Sequence, residues 1–165
     1  MSLRTILYVL PVLALFAACG FDDDQPTRSG CAEQNPTLEE FAASDTVTYD
    51  ELGNSGLLYY IVDSGGVERP TISSRVTANY TGFFTNGNIF DGTTAASGPA
   101  TFPLANVIEG WQLGVPLIGE GGKIRLLLPS NLAYGTNGNC DRFGRCSICP
   151  DTDLVFDIEL VSFTG

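Results

Sequence analysis

The stretch VTANYTGFFTNGNIFDGT, residues 76–93, decides the fold of this chain. Its first half alternates in character, with Val76, Ala78 and Tyr80 on one face, which predicts a half-buried strand over Arg75–Phe84. A turn and the pair Phe90-Asp91 follow. This is the pattern of an antiparallel strand that leaves the core, turns and returns.

Three further strands are predicted on either side, over Leu57–Val62, Lys123–Leu128 and Asp153–Phe163. The last is the clearest, because its apolar side chains point one way while two acids point the other. One short helix is predicted over Val107–Leu117, with Asn106 as its cap and Pro116 near its end. The sequence therefore predicts an α+β fold, an antiparallel sheet folded over one helix.

The first 18 residues have the pattern of a signal peptide. Arg4 gives a short positive region, an apolar run over Ile6–Phe16 follows, and Ala17 and Ala18 precede Cys19. Small residues before a cysteine resemble a bacterial lipobox, in which the cysteine is acylated and anchors the protein. The alternative is ordinary secretory cleavage near Ala18. Both interpretations predict export, and acylation of Cys19 predicts a periplasmic or outer-membrane location.

Residues 19–52 differ in composition from those that follow. The segment 20–52 contains nine acids, one base and two prolines, which predicts an acidic, solvated tether ahead of a domain over 53–165. Within it, a short helix is predicted over Leu38–Ala43, because Thr37 and Glu40 have the spacing of a capping box.

Composition excludes several functions. The chain has 19 acidic and 8 basic residues and no histidine. Nucleic-acid binding needs a basic stripe, so no nucleic-acid partner is expected. Anionic membrane surfaces would repel the chain, so membrane attachment must be hydrophobic or covalent. Catalysis by a serine or cysteine activated by histidine is excluded, and neither a metal nor a cofactor is expected.

Four blocks occur together in a recognisable order: residues 76–93, FPLANVIEGW (102–111), GEGGKIRLLLPSNLAYG (119–135) and DLVFDIEL (153–160). In order and spacing they resemble the FKBP family of peptidyl-prolyl isomerases, over about residues 54–163. The resemblance implies a highly curved antiparallel sheet wrapped around a short helix, with a ligand pocket between them. It also implies isomerase activity on proline-containing polypeptide clients, and macrolides as further candidate ligands. Nothing in the sequence argues against a monomer.

The resemblance also assigns candidate site residues. It places Ala96 and Ala100 where the family often has a basic and an aromatic residue, so one wall is expected to be thinner and Asp91 to lack that partner. Each aromatic taken alone is compatible with simple core packing. The residues expected to act directly on the substrate are Tyr80, Phe90, Asp91, Trp111, Tyr134 and Phe156. Those expected to bind it are Phe102, Val107, Ile108 and Ile148.

Four cysteines remain besides Cys19, and an even number in an exported chain indicates disulfides with three possible pairings. Three of them, Cys140, Cys146 and Cys149, fall in the loop that overhangs the pocket in the family. A bridge from Cys140 to either of the others would clip this loop and hold Ile148 in place, and Cys31 would tie the tether to the domain through the remaining thiol. The alternatives are a metal site or a redox pair at Cys146 and Cys149.

Three functions remain open at this point. The first is an enzyme that accelerates X–Pro isomerisation in exported proteins. The second is a binding or chaperone module with the same fold and little turnover, which Ala96 and Ala100 favour. The third is a surface lipoprotein that binds an unrelated ligand.

Overall fold

The computed structural model describes residue 31 and residues 35–165. The predicted signal peptide, Cys19 and the first part of the predicted tether lie outside these residues. The regular elements of the described part are α1 (Leu38–Ser44), β1 (Asp50–Glu51), β2 (Leu58–Asp63), β3 (Arg75–Phe84), β4 (Ile89–Gly92), β5 (Ala100–Pro103), α2 (Glu109–Gly114), β6 (Lys123–Leu128), β7 (Asn139–Cys140), β8 (Cys146–Ile148) and β9 (Leu154–Thr164). The short 3-10 helices are Leu104–Asn106, Val115–Leu117, Ser130–Leu132 and Gly135–Asn137.

Seven strands form one antiparallel sheet in the order β1-β2-β6-β9-β3-β4, and β5 also pairs with β3. Strand β9 covers one edge of β3 along its length, from Arg75 opposite Thr164 to Phe84 opposite Leu154. Strands β5 and β4 share the other edge of β3. Strands β7 and β8 form a separate two-stranded hairpin. The predicted α+β fold, an antiparallel sheet over a short helix, is confirmed.

The helix α2 packs closely on the inner face of the sheet. A Cβ atom on Gly114 would lie 2.5 Å from Cδ1 of Leu126 on β6, a distance that real side chains do not reach. Glycine at this position therefore lets the helix backbone approach the strand. Trp111 and Val115, from the same segment, are buried in the resulting core.

The α-helix is shorter than predicted and begins later. A 3-10 helix ends at Asn106, and the backbone is extended at Val107 and Ile108, so the α-helix begins at Glu109. Its N-cap is Ile108, with no side-chain cap, and the expected capping by Asn106 is wrong. The segment containing Pro116 is a 3-10 helix that continues directly from Gly114.

Helix α1 and Tyr49 pack on the outer face of the sheet, which corrects the expectation of a solvated tether up to residue 52. Helix α1 has the predicted capping box, with both hydrogen bonds between Thr37 and Glu40. Its Leu38 is 5 % exposed and packs with Leu127 and Val155. Strand β1 then adds to the sheet beside β2. The acidic composition gave no sign of this docking, because only a few apolar side chains of the segment make the contact.

The four cysteines beyond Cys19 form two disulfides. Cys140 is bonded to Cys146, which closes the β7–β8 hairpin. Cys31 is bonded to Cys149, which ties the chain ahead of α1 to the segment between β8 and β9. This pairing is one of those left open by the sequence. In the described residues, no group of histidine, cysteine or acidic side chains has the arrangement of a metal site.

Candidate active site

Trp111 forms the floor of an aromatic cluster between α2 and the sheet. Its side chain is 4 % exposed, and three rings meet it edge-on. The ring centroids of Tyr80, Phe156 and Phe102 lie 5.3, 5.6 and 6.0 Å from it, at interplanar angles of 82–90°. Edge-on contacts place the positive rim of one ring against the negative face of another, which stabilises this geometry. The predicted floor residue is thus surrounded by three of the predicted wall residues.

Phe90 extends the cluster along β4. Its ring lies 5.6 Å from Phe156 at 88° and 5.1 Å from Phe84. Phe84 was missed by the sequence analysis, although the alternation through Val76, Ala78 and Tyr80 places it on the same face of β3. Its contact with Phe90 supports the outer wall of the site.

Gly82 on β3 makes the contact between Phe90 and Phe156 possible. A Cβ atom at this position would lie 2.7 Å from Cζ of Phe90 and 2.8 Å from Cε1 of Phe156. The two rings therefore occupy the space above Gly82 that a side chain would fill.

The rim of the site contains a short hydrogen bond between two side chains. The Tyr80 hydroxyl donates a hydrogen bond of 2.7 Å to Oδ2 of Asp91, while Oδ1 accepts one from the Gly92 N–H. Burial and the bond to Asp91 together raise the pKa of Tyr80, so its phenol stays protonated. The chain has Ala96 where the family often has a basic residue that could pair with Asp91. The hydroxyl of Tyr80 instead supplies Asp91 with a hydrogen-bond donor.

Two hydrogen-bond donors at the site are not engaged within the described part of the chain. The hydroxyl of Tyr134 makes no hydrogen bond there, and neither does the N–H of Ile108. Burial, followed by the charge of Asp91, raises the pKa of Tyr134, which keeps its hydroxyl a donor at neutral pH. Val107 and Ile108 are half-buried beside the same core. Both donors are thus available to carbonyl groups of a bound chain.

Ile148 is placed differently from the expectation. It lies on β8 with 2 % of its surface exposed and belongs to the same core cluster as Trp111. In this position it packs in the core that includes Trp111, and direct contact of Ile148 with a substrate remains a prediction.

A groove of about 910 Å³ lies on the outer face of the sheet, between residues 45–47 and the loop 93–99. Its charged groups pair with one another. Arg125 contacts Asp157 and Asp45 at 2.6 and 2.8 Å. Lys123 contacts Glu159 at 3.3 Å. Both cations of the groove are therefore already paired with carboxylates, so the aromatic cluster is the stronger candidate for the active site.

An antiparallel sheet wrapped over a short helix, with an aromatic site between them, defines an FKBP-like domain. The family model of the FKBP-type peptidyl-prolyl cis-trans isomerases matches residues 66–161, and the chain belongs to this family. It is 44% identical over 124 residues to the probable isomerase FkpA of Neisseria meningitidis, covering 75% of this chain and 43% of that protein. The chain thus spans about two fifths of the length of this relative.

Comparison with solved structures also places the chain among the FKBP-type isomerases. The crystal structure of FkpA from Escherichia coli superposes with a TM-score of 0.65 at 37% identity, covering 77% of this chain and 55% of that one. A peptidyl-prolyl cis-trans isomerase from Pseudomonas syringae pv. tomato gives a TM-score of 0.64 at 32% identity, covering 81% of this chain and 100% of that one.

Proposed function

We propose that this protein accelerates rotation about X–Pro bonds in exported polypeptides and that the aromatic cluster is its active site. The observation that carries the proposal is Trp111, a nearly buried floor met edge-on by three rings. Tyr134 and Ile108 contribute open donors beside it. A proline ring is apolar and flat enough to contact such a floor, while its flanking carbonyls need donors.

The chemistry requires no ionisable base. Partial double-bond character of the amide opposes rotation with a barrier of about 18–20 kcal/mol. The bond is less polar when twisted, because conjugation is lost. An apolar enclosure therefore disfavours the planar, well-solvated ground state relative to the twisted transition state. Acceleration results from this difference in binding, without a covalent intermediate.

Each residue has a distinct role in this proposal. Trp111, Phe90, Phe102 and Phe156 enclose the proline ring, and Val107 and Ile108 add apolar contact. The Tyr134 hydroxyl and the Ile108 N–H hold substrate carbonyls, which fixes one side of the rotating bond. Tyr80 and Asp91 shape the rim through their hydrogen bond. Ile148 packs in the core that includes Trp111.

An isomerisation assay on proline tetrapeptides, with protein lacking residues 1–19, tests the proposal. Turnover well above the spontaneous rate is expected, and Trp111→Ala should abolish most of it. The only tryptophan of the chain is Trp111, so its fluorescence should change when a proline peptide binds. Peptide binding without turnover would instead support the binding or chaperone function, which the small side chains at Ala96 and Ala100 favour. A macrolide that occupies the site should compete with the peptide in both measurements.

We also propose that the protein is exported and anchored through acylated Cys19, as a monomer held near a membrane. The proposal rests on the sequence 1–19, since Cys19 lies outside the described residues. No helix in residues 35–165 is long and apolar enough to cross a membrane. Metabolic labelling with a fatty acid tests the anchor: Cys19→Ala should abolish the label, whereas incorporation in that variant would contradict the assignment.

A further inference from the structure

The β7–β8 hairpin has an unusual tip, formed by residues 141–145 (DRFGR). Phe143 is 69% exposed at this tip. The guanidinium carbon of Arg142 lies 4.7 Å from the centre of its ring, and that of Arg145 lies 5.6 Å from it. These residues, here called the cationic tip, combine an exposed aromatic ring with two guanidinium groups.

The cationic tip has a net positive charge on a strongly acidic protein. Arg145 pairs with Asp141, with its Nη2 atom 2.7 Å from Oδ2. Arg142 makes no ion pair with any residue in the described ranges. The whole chain has a formal charge of −11, so most of its surface repels acidic peptides. Arg142 therefore presents a local site of attraction for a carboxylate.

The tip has a fixed shape. The disulfide between Cys140 and Cys146 closes it. Inside this ring, Oδ1 of Asp141 accepts hydrogen bonds from the N–H groups of Phe143 and Arg145, at 2.8 and 3.0 Å. A closed turn of this kind holds Phe143 outward, so little further ordering is needed when a partner binds.

The hairpin begins beside the candidate active site. The Gly138 N–H donates to the carbonyl oxygen of Tyr134 at 3.1 Å, so the base of the hairpin is bonded to a predicted substrate-contacting residue. Ile148, at the end of the hairpin, packs in the same core cluster as Trp111. Asn139 pairs with Ile148 across the hairpin, and Arg142 lies three positions beyond Asn139, which corresponds to at most about 10 Å at about 3.3 Å per residue. An extended client covers the same distance in three or four residues.

We infer that the cationic tip selects clients with an acidic residue three or four positions from the isomerised proline. The inference rests on the proposed isomerase function. Arg142 attracts the client carboxylate, and Phe143 provides an exposed surface for the adjoining side chains. The tip thus adds a second contact to a site that otherwise recognises only proline and its carbonyls.

The test compares peptides that differ only by Glu or Gln four residues from the proline, on either side, with the full chain in a non-ionic detergent. At low salt, kcat/KM for the Glu peptide should exceed that for the Gln peptide by about two- to fivefold, the range for one exposed ion pair. The ratio should fall towards one in 0.5 M salt. Arg142→Gln should bring it to about one and leave turnover of the Gln peptide unchanged. Arg75→Gln, which removes an exposed charge at the start of β3, should leave the ratio unchanged.

The inference is overturned by a wild-type ratio of one, by a ratio that survives Arg142→Gln, or by an equal loss in Arg75→Gln. The Arg142→Gln variant is also compared with the wild type in binding to anionic lipid vesicles. If it binds vesicles more weakly while the ratio of the two peptides is unchanged, the tip binds membranes and the inference is overturned. If neither peptide is isomerised, the proposed function fails. The inference about the cationic tip is then tested by fluorescence titrations of Trp111 with the two peptides. Equal Kd values for the Glu and Gln peptides would overturn it.

Discussion

The hydroxyl of Tyr80 and the carboxylate of Asp91 are joined by a hydrogen bond of 2.7 Å across the pair β3 and β4. The same tyrosine ring meets Trp111 edge-on at 5.3 Å. One side chain therefore links the polar rim of the candidate site to its apolar floor. Removing only its hydroxyl separates these two functions.

Tyr80→Phe should keep the ring contact and lose the hydrogen bond. We expect kcat/KM to fall about fivefold, equivalent to about 1 kcal/mol, because the bond is partly exposed and so has a modest net value. The tetrapeptide assay measures this effect. Asp91→Asn is the matched variant, since its amide oxygen can still accept the bond while the charge is lost; if Tyr80→Phe equals the wild type, the contact has no role in turnover.

Alkaline pH should destabilise the protein through its half-buried tyrosines Tyr49 and Tyr80. Burial, and the hydrogen bond to Asp45, raise the pKa of Tyr49 to about 12, and the pKa of Tyr80 is raised as well. Their ordinary pKa is about 10, so the unfolded chain loses these protons first. The contribution to stability is complete below pH 10 and is lost as the pH rises through 10 to 12. Guanidinium unfolding between pH 8 and 11.5 should show this decline, and Tyr49→Phe should make it shallower. A decline of the same slope in that variant would contradict the assignment.

Gly82→Ala should disrupt the aromatic wall. The added methyl group would lie less than 3 Å from both Phe90 and Phe156, so one ring must move. Overpacking of this kind costs about 1–3 kcal/mol, and we expect a larger loss in turnover than in stability. Gly66→Ala is the control, because its Cβ would meet no atom closer than 3.6 Å. Equal activity of the two variants would show that the rings adapt without cost.

The two disulfides should differ in their contribution to stability. The bridge between Cys31 and Cys149 joins residues 118 apart, and that between Cys140 and Cys146 joins residues 6 apart. Loop-closure entropy predicts about 5 kcal/mol for the first and about 2 kcal/mol for the second. Urea unfolding of the double variants C31S/C149S and C140S/C146S measures both values. A larger loss in C140S/C146S would contradict the entropic account.

Much of the fold could be predicted, because the local sequence patterns of these elements favour the same structures that tertiary packing stabilises. Strand β3 begins and ends where its alternation indicates, and the predicted capping box of α1 is formed. The beginning of α2 could not be predicted, since the preceding 3-10 helix and the extended backbone at Val107 and Ile108 depend on tertiary contacts. For the same reason, the docking of Leu38 onto Leu127 and Val155 is not visible in an acidic segment.

The candidate site was predictable to the extent that it follows the family pattern. The grouping of Trp111 with Tyr80, Phe102 and Phe156 agrees with the residues assigned by resemblance. The Tyr80–Asp91 bond could not be predicted, because a register irregularity between β3 and β4 sets which side chains meet. The burial of Ile148 likewise depends on the hairpin that the Cys140–Cys146 bridge closes.

The bond between Cys31 and Cys149 also determines how a pulling force would travel through the molecule. If the chain is held at Cys19, as proposed, tension reaches Cys31 through 12 residues. Fully extended, this segment has a length of at most about 43 Å. From there it passes through the disulfide to Cys149 and on to β9. Residues 32–148, which include nearly all of the candidate site, lie outside this covalent load path. A pull between Cys19 and the end of β9 would therefore load the disulfide and β9, where Phe156 lies, and would leave the chain that carries the other candidate site residues outside the shortest covalent path.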